Sequence, residues 1–151
     1  MKPQRLAVVP ATTPLSIPDG CGSTNVFFDL YFKSVTKHMA AFCPEKLDRL
    51  IRNAIAGSGM QRRTGVLDVW ETKEFGPATS FHSLQESHVR VETWPKEGHV
   101  QGEVQLCNFS RDNSAAARRL ADTIIQSLQP TTVEIIVLIR GPGKKITFCK
   151  E

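Results

Sequence analysis

The sequence predicts an α+β fold: a two-layer α/β sandwich whose mostly antiparallel sheet is covered on one face by two helices. Three observations lead to this prediction. Several short runs alternate apolar and polar residues with a period of two, which is typical of half-buried strands. Two longer segments repeat apolar residues at helical spacing. In chain order these segments read β-α-β-β-β-β-α-β, and the two amphipathic helices would cover the apolar face of the sheet.

The length of 151 residues suits a single domain preceded by a short arm. Residues 1–24 contain four of the nine prolines, which interrupt helices and central strands. We therefore predict a loose arm over 1–24 and one domain over 25–151. Apolar residues make up 40% and charged residues 23% of the chain, as in ordinary globular proteins. Without a secretory or membrane-spanning pattern in this sequence, we expect a cytoplasmic protein.

The first strand and the first helix follow the arm. Within residues 25–32, alternate apolar positions share one face, namely Val26, Phe28, Leu30 and Phe32. A helix is predicted to begin at Pro44 and end at Gly57, since proline favours the first helical position and glycine the C-terminal stop. Its apolar stripe consists of Leu47, Leu50, Ile51, Ala54 and Ile55.

Four strands are predicted between the two helices, over residues 66–75, 78–86, 87–94 and 99–108. In the last two, the residues that share the apolar face are Val89, Val91, Val100, Val104 and Leu106. The opposite face carries polar and reactive groups: His88, Arg90, Glu92, Trp94, Gln101, Glu103, Gln105 and Cys107. This polar face is left for chemistry, for a second subunit, or for both.

The second helix is predicted over residues 113–128, with Asp112, Asn113 or Ser114 as its cap. Its stripe consists of Ala117, Leu120, Ala121, Ile124, Ile125 and Leu128. A final strand over residues 132–140 is bounded by a turn at residues 141–143.

The charge and the cysteines argue against several other functions. A net charge of +4 is mild, and the basic residues form scattered pairs instead of a stripe along one element. The four cysteines are widely separated and include no C-x-x-C pair, and since we expect no signal peptide, we predict no disulfide framework. We therefore predict no metal site, no nucleic-acid partner and no membrane partner.

The informative segment is residues 84–107, LQESHVRVETWPKEGHVQGEVQLC. It contains Glu86-Ser87-His88, then Thr93-Trp94-Pro95, and it ends at Cys107. In this order and at these spacings, it resembles the self-processing S-adenosylmethionine decarboxylases of the small prokaryotic type. Through the order of strands and helices, the resemblance extends more weakly over residues 25–140.

The resemblance implies a pyruvoyl-dependent carboxy-lyase that is made as a zymogen. In such proenzymes, a serine hydroxyl attacks the preceding carbonyl and converts the amide into an ester. A base then removes the serine α-proton, the ester leaves by β-elimination, and the new chain begins with a covalent pyruvoyl group. This group forms a Schiff base with the substrate amine and accepts the electrons released as carbon dioxide departs.

The resemblance also assigns roles to individual residues. Autocatalytic cleavage falls between Glu86 and Ser87, with Ser87 as the pyruvoyl precursor and Glu86 as the new C-terminus. Cys107 is the acid that reprotonates the α-carbon of the product. Thr79, or Ser80 beside it, takes the place of a hydroxyl that assists processing.

Two positions depart from the family pattern H-T-W-P-E. Glu92 stands where a histidine acts as the base of the elimination, and a carboxylate, with an ordinary pKa of about 4.3 against about 6.5, is the weaker base. Lys96 stands where a glutamate binds the ribose hydroxyls, but an ammonium group cannot accept hydrogen bonds from a diol. Among the remaining motif residues, we expect His88 to orient the loop and Trp94 to pack at the substrate-binding position.

S-adenosylmethionine is the default substrate, and its product would enter spermidine and other polyamine biosynthesis. A first alternative keeps the chemistry on a plain amino acid such as arginine or ornithine. A second alternative is a non-processing paralogue that binds a ligand or an active partner subunit. We expect a homodimer, since the family is dimeric and the polar sheet face needs a cover.

Overall fold

The computed structural model describes residues 22–72, 74–108 and 111–140, and the backbone of 147–150. Most of the predicted arm and the turn at residues 141–143 lie outside these ranges. The strands are β1 (Ser23–Tyr31), β2 (Arg62–Val69), β3 (Ala78–Leu84), β4 (Ser87–Trp94), β5 (His99–Cys107), β6 (Thr132–Arg140) and β7 (Thr147–Lys150). The α-helices are α1 (Met39–Phe42), α2 (Pro44–Gly57) and α3 (Ser114–Leu128).

The described strands form one sheet in the order β2-β3-β4-β5-β1-β6-β7, and every neighbouring pair is antiparallel. Strand β1 lies near the centre, where Val26 pairs with Val104 of β5 and Val137 of β6. Helices α2 and α3 cover one face of the sheet, which we call the covered face; the other is the open face. The predicted α+β sandwich is therefore confirmed.

The covered face holds the hydrophobic core, as the alternation predicts. Buried side chains from β1, β3, β4, β5 and β6 and from the three α-helices meet there, among them Val26, Phe28, Leu30, Val89, Val91, Val104, Leu120 and Ile124. Gly102 of β5 lies opposite Phe28 of β1 in the strand pairing. A Cβ at that position would lie 2.0 Å from Phe28 Cζ, so only glycine leaves room for the ring.

Two details differ from the sequence prediction. Strand β2 covers residues 62–69 instead of 66–75, because the Thr72 side chain turns the chain: its Oγ1 donates to the Phe75 carbonyl at 2.6 Å. The short helix α1 and strand β7 were not expected, and β7 extends the sheet beyond β6. None of the helices in the described ranges is long and apolar enough to span a membrane.

Candidate active site

The predicted cleavage position lies in a tight hairpin between β3 and β4, whose connecting turn is Gln85–Glu86. Two-residue hairpin turns favour glycine or asparagine, because their backbone needs positive φ values. This turn contains neither residue. Instead, Ser87 immediately after it has a φ of +152°, a conformation that is found essentially only for glycine. The backbone is therefore strained at Ser87.

The end of strand β5 lies directly beside this hairpin. The backbone N–H of Cys107 donates a hydrogen bond to the carbonyl oxygen of Glu86 at 2.8 Å. Cys107 is partly exposed and has a free thiol. The structure thus brings the Glu86–Ser87 bond and Cys107 together, although 20 residues separate Ser87 from Cys107 along the chain (107 − 87).

Two buried asparagines complete this end of the sheet. Asn113 Nδ2 donates to Glu86 Oε2 at 3.3 Å and to the Cys107 carbonyl at 2.7 Å. Asn108 Oδ1 accepts from the backbone N–H of Asn113 at 2.8 Å, while its Nδ2 has no hydrogen-bond partner in the described part of the chain. The sequence pattern predicted Asn113 only as a helix cap and did not predict these contacts.

His88 follows Ser87 on the open face. Its Nδ1 lies 3.4 Å from Ser87 Oγ, and its Nε2 lies 3.7 Å from Glu103 Oε2. The ring also packs against Phe81 with a centroid distance of 5.4 Å. These contacts fix the His88 ring beside the Ser87 hydroxyl.

Thr79 and Glu92 form a second site on the same face. They are directly opposite in the pairing of β3 with β4. Arg90 Nη1 lies 3.3 Å from Glu92 Oε1 and forms an ion pair with it. Ser80 is on the covered face instead, where its hydroxyl donates to Asp48 at 2.9 Å. Of the two candidate hydroxyls, Thr79 is therefore the one that shares a face with Glu92.

The predicted site residues fall into two separate groups. We call Glu86, Ser87, His88 and Cys107 the cleavage group, and Thr79, Glu92, Trp94 and Lys96 the distal group. Glu92 is five residues from Ser87 on strand β4, which corresponds to about 16 Å at the rise of a β-strand. The structure therefore does not bring the two groups together within one chain.

Aromatic stacking characterises the distal end of the open face. The His99 ring stacks between Trp94 at 5.4 Å and Tyr31 at 4.9 Å, and His99 Nε2 lies 2.8 Å from Asp29 Oδ1. This row of flat rings beside a carboxylate was not predicted as part of the site. A planar, cationic ligand is the kind of molecule that such a surface binds.

Lys96 lies in the short 3-10 turn that follows Trp94 and is highly exposed. Its Nζ lies 3.8 Å from Glu71 Oε1, on the segment after β2. The lysine that departs from the family pattern therefore has a carboxylate beside it.

The covered face contains a buried polar cluster that was not predicted from the sequence. The Ser80 hydroxyl lies 3.0 Å from His82 Nε2, which also lies 3.2 Å from Asp48 Oδ1, and Arg62 Nε donates to His82 Nδ1 at 2.9 Å. Burial lowers the pKa of His82, because the charged ring loses solvation. Gly65 leaves the space that the Arg62–His82 contact occupies. Because Ser80 and His82 are solvent-inaccessible, the cluster is structural and does not form a catalytic triad.

In the described ranges, no group of three or more His, Cys, Asp or Glu side chains is arranged to hold a metal ion.

Comparisons with known proteins place the chain in a family. Among curated proteins, the S-adenosylmethionine decarboxylase proenzymes of Pyrobaculum aerophilum and Pyrobaculum arsenaticum are 36% and 34% identical over 64 residues. The matched segment is 40% of this chain and 48% of each relative, so the chain spans about half the length of the curated relatives it matches.

A crystal structure of the adenosylmethionine decarboxylase from Aquifex aeolicus shares the fold, with a TM-score of 0.67 and 24% identity, over 82% of this chain and 93% of that one. The sequence profile of the family described as S-adenosylmethionine decarboxylase matches residues 30–141. These findings confirm the resemblance found in the motifs. The chain belongs to the S-adenosylmethionine decarboxylase family.

Proposed function

We propose that the protein is a self-processing, pyruvoyl-dependent decarboxylase that acts on S-adenosylmethionine in polyamine biosynthesis. The observation that carries this proposal is the strained backbone of Ser87, with a φ of +152°, next to a carbonyl that is already hydrogen-bonded. Strain at this bond favours cleavage, since the bond rearrangement releases it.

The residues at the hairpin fit the formation of a pyruvoyl group. Ser87 supplies the hydroxyl and the α-carbon, and the Cys107 N–H stabilises negative charge on the Glu86 carbonyl oxygen. A pyruvoyl carbonyl supplies an electron sink for decarboxylation. The partly exposed Cys107 thiol, on a residue that contacts Glu86, is the proton donor in this proposal.

We further propose that the active site is shared between two copies of the chain. The open face carries exposed apolar residues, Tyr31 and Ile136, among its polar groups. Two such faces can pack about 10 Å apart, as sheets do in sandwiches. The two-fold axis would lie between the two faces, perpendicular to β4 and level with the midpoint between Ser87 and Glu92. It would then bring the distal group of each chain to the cleavage group of its partner. Glu92 would act as the base of the elimination, assisted by Thr79.

The surroundings of Lys96 support S-adenosylmethionine over a plain amino acid. The carboxylate that the family pattern places at position 96 is absent, but Glu71 lies beside this position and can accept hydrogen bonds from a diol. The stacked rings of Trp94 and His99 offer a flat surface for an adenine base.

The mass of the purified protein tests the processing step. We expect two fragments, 1–86 and 87–151, of which the second is blocked by a pyruvoyl group. Ser87→Ala should remain one chain without activity. A wild-type chain that stays whole after long incubation at neutral pH would overturn the decarboxylase proposal and support the non-processing paralogue.

Steady-state kinetics test the substrate. Glu71→Gln should raise the KM for S-adenosylmethionine about tenfold, as expected for one lost charged hydrogen bond. Glu74→Gln, an exposed neighbour on the same segment, is the matched control and should leave KM unchanged. Faster turnover of arginine or ornithine than of S-adenosylmethionine by the wild type would refute this substrate and favour the amino-acid alternative.

A further inference from the structure

We propose that Asn113 is a positioning residue for self-cleavage, an inference that rests on the proposed processing at Glu86–Ser87. Its single amide group holds the Glu86 side chain and the Cys107 backbone at the same time. The hydrogen bond from the Cys107 N–H to the Glu86 carbonyl joins these two residues, and this carbonyl is the group that Ser87 must attack.

The orientation of the Asn113 amide is determined by its neighbours. Arg111 Nε donates to Asn113 Oδ1 at 3.0 Å, and a guanidinium group can only donate. The Glu86 carboxylate and the Cys107 carbonyl can only accept, so Nδ2 must face them. All the polar atoms of this side chain are therefore used, at a residue that is only 1% exposed.

The position of Asn113 is itself fixed. Its backbone N–H donates to the buried Asn108 side chain at 2.8 Å, and it directly precedes helix α3. The next residue, Ser114, is the first of α3, and its hydroxyl lies 2.8 Å from Thr24 Oγ1 of β1. Asn113 and Ser114 together connect the hairpin to β1 and to α3, which makes this segment a rigid support.

The chemistry explains why such a support matters. In the first step, Ser87 Oγ bonds to the Glu86 carbonyl carbon, and the electron pair of the C=O bond moves onto the oxygen. The C=O bond then re-forms as the C–N bond breaks; the C–N electron pair stays on the Ser87 nitrogen, which takes the hydroxyl proton, and an ester remains. The oxygen that becomes negative is the one that Cys107 N–H contacts at 2.8 Å. Asn113 keeps both sides of this contact in place, so its loss should slow ester formation and not the later elimination.

Asn113→Asp tests this inference with almost no change in shape. The substitution replaces the Nδ2 donor with an anionic oxygen that faces the Glu86 carboxylate and the Cys107 carbonyl, so both contacts become repulsive. We expect cleavage to slow about 100-fold, the scale of a misplaced reacting group. Asn53→Asp, on the exposed surface of α2, adds the same charge and should cleave at the wild-type rate.

Hydroxylamine distinguishes the affected step, because it cleaves esters much faster than amides. Asn113→Asp should yield no additional fragments with hydroxylamine, whereas Glu92→Gln, which lacks the proposed base, should accumulate ester and be cut. In Glu86→Gln/Asn113→Asp, the exchanged amide and carboxylate can bond again, and cleavage should partly recover.

Three results would overturn the role of Asn113. The first is normal cleavage of Asn113→Asp, and the second is an ester in that variant that hydroxylamine cuts. The third is a loss of cleavage together with a melting temperature of Ser87→Ala/Asn113→Asp far below that of Ser87→Ala alone, which would indicate a general loss of stability. An uncleaved wild type would instead refute the proposed function, and with it this inference.

Discussion

Two inactive variants should restore each other if the active site is shared between chains. Ser87→Ala lacks the cleavable residue but keeps Glu92, while Glu92→Gln keeps Ser87 but lacks the base. In a mixed dimer, the intact Ser87 of one chain meets the intact Glu92 of its partner. The Glu92→Gln chain should therefore be cleaved only when the Ser87→Ala chain is present.

The size of the effect follows from the geometry. Ser87 and Glu92 are separated by about 16 Å along β4, far beyond the ~3 Å at which a base can take a proton. With equal amounts of the two chains and random pairing, about half of the Glu92→Gln chains enter mixed dimers. The cleaved fraction of the Glu92→Gln chain should therefore reach a plateau near one half.

Co-expression with two different affinity tags provides the assay. The tags isolate mixed dimers, and mass spectrometry identifies which chain has been cut. Mixed dimers that contain no cleaved chain would refute the shared site. Complete cleavage of Glu92→Gln on its own would show that Glu92 is not the base.

Three further predictions follow from individual residues. Cys107→Ala should still be cleaved at least in part, but release of carbon dioxide should fall about 10²–10⁴-fold; near-normal turnover would assign the thiol to packing. Gly102→Ala places a Cβ against the Phe28 ring and should lower the free energy of unfolding by about 1–3 kcal/mol in denaturant titrations. Gly57→Ala has open space around its Cβ, and an equal loss there would contradict the packing argument. Because burial lowers the pKa of His82, the unfolded chain binds the proton more tightly, so stability should fall as the pH drops below 6.5. A melting temperature that has the same pH dependence in His82→Gln would exclude this cause.

Much of the fold was predictable because the two faces of a strand follow directly from its period of two. The same rule, applied to residues 78–84, places Ser80 and His82 in phase with the buried Ala78 and Leu84. The inward direction of both polar residues was therefore readable from the sequence. Their partner Asp48 was not, because that contact joins elements 32 residues apart.

The motif predicted residues for the candidate site, but it did not predict their arrangement in space. The motif identified Ser87 and Cys107, which lie close together because β4 and β5 are adjacent and Ser87 pairs with Leu106. The distance between Ser87 and Glu92 also follows from their shared strand, once the strand is assigned. The cap residues predicted where α3 begins, but the contact of Asn113 with Glu86 spans 27 residues and depends on how that end of α3 packs against the hairpin. Strand β2 was misplaced because it is an edge strand with largely exposed side chains, which weakens its hydrophobic pattern.

The order of strands determines how the two fragments would hold together after the proposed cleavage. Strands β1, β2 and β3 precede the Glu86–Ser87 bond, whereas β4, β5, β6 and β7 follow it. If the chain is cleaved as proposed, the two fragments alternate within one sheet and are joined by the pairings β3–β4, β1–β5 and β1–β6. A single chain would then form a fold that two fragments hold together afterwards. Once unfolded, the two fragments would have to rebuild the sheet through a bimolecular encounter, so thermal unfolding of the cleaved protein should depend on concentration and be irreversible in practice.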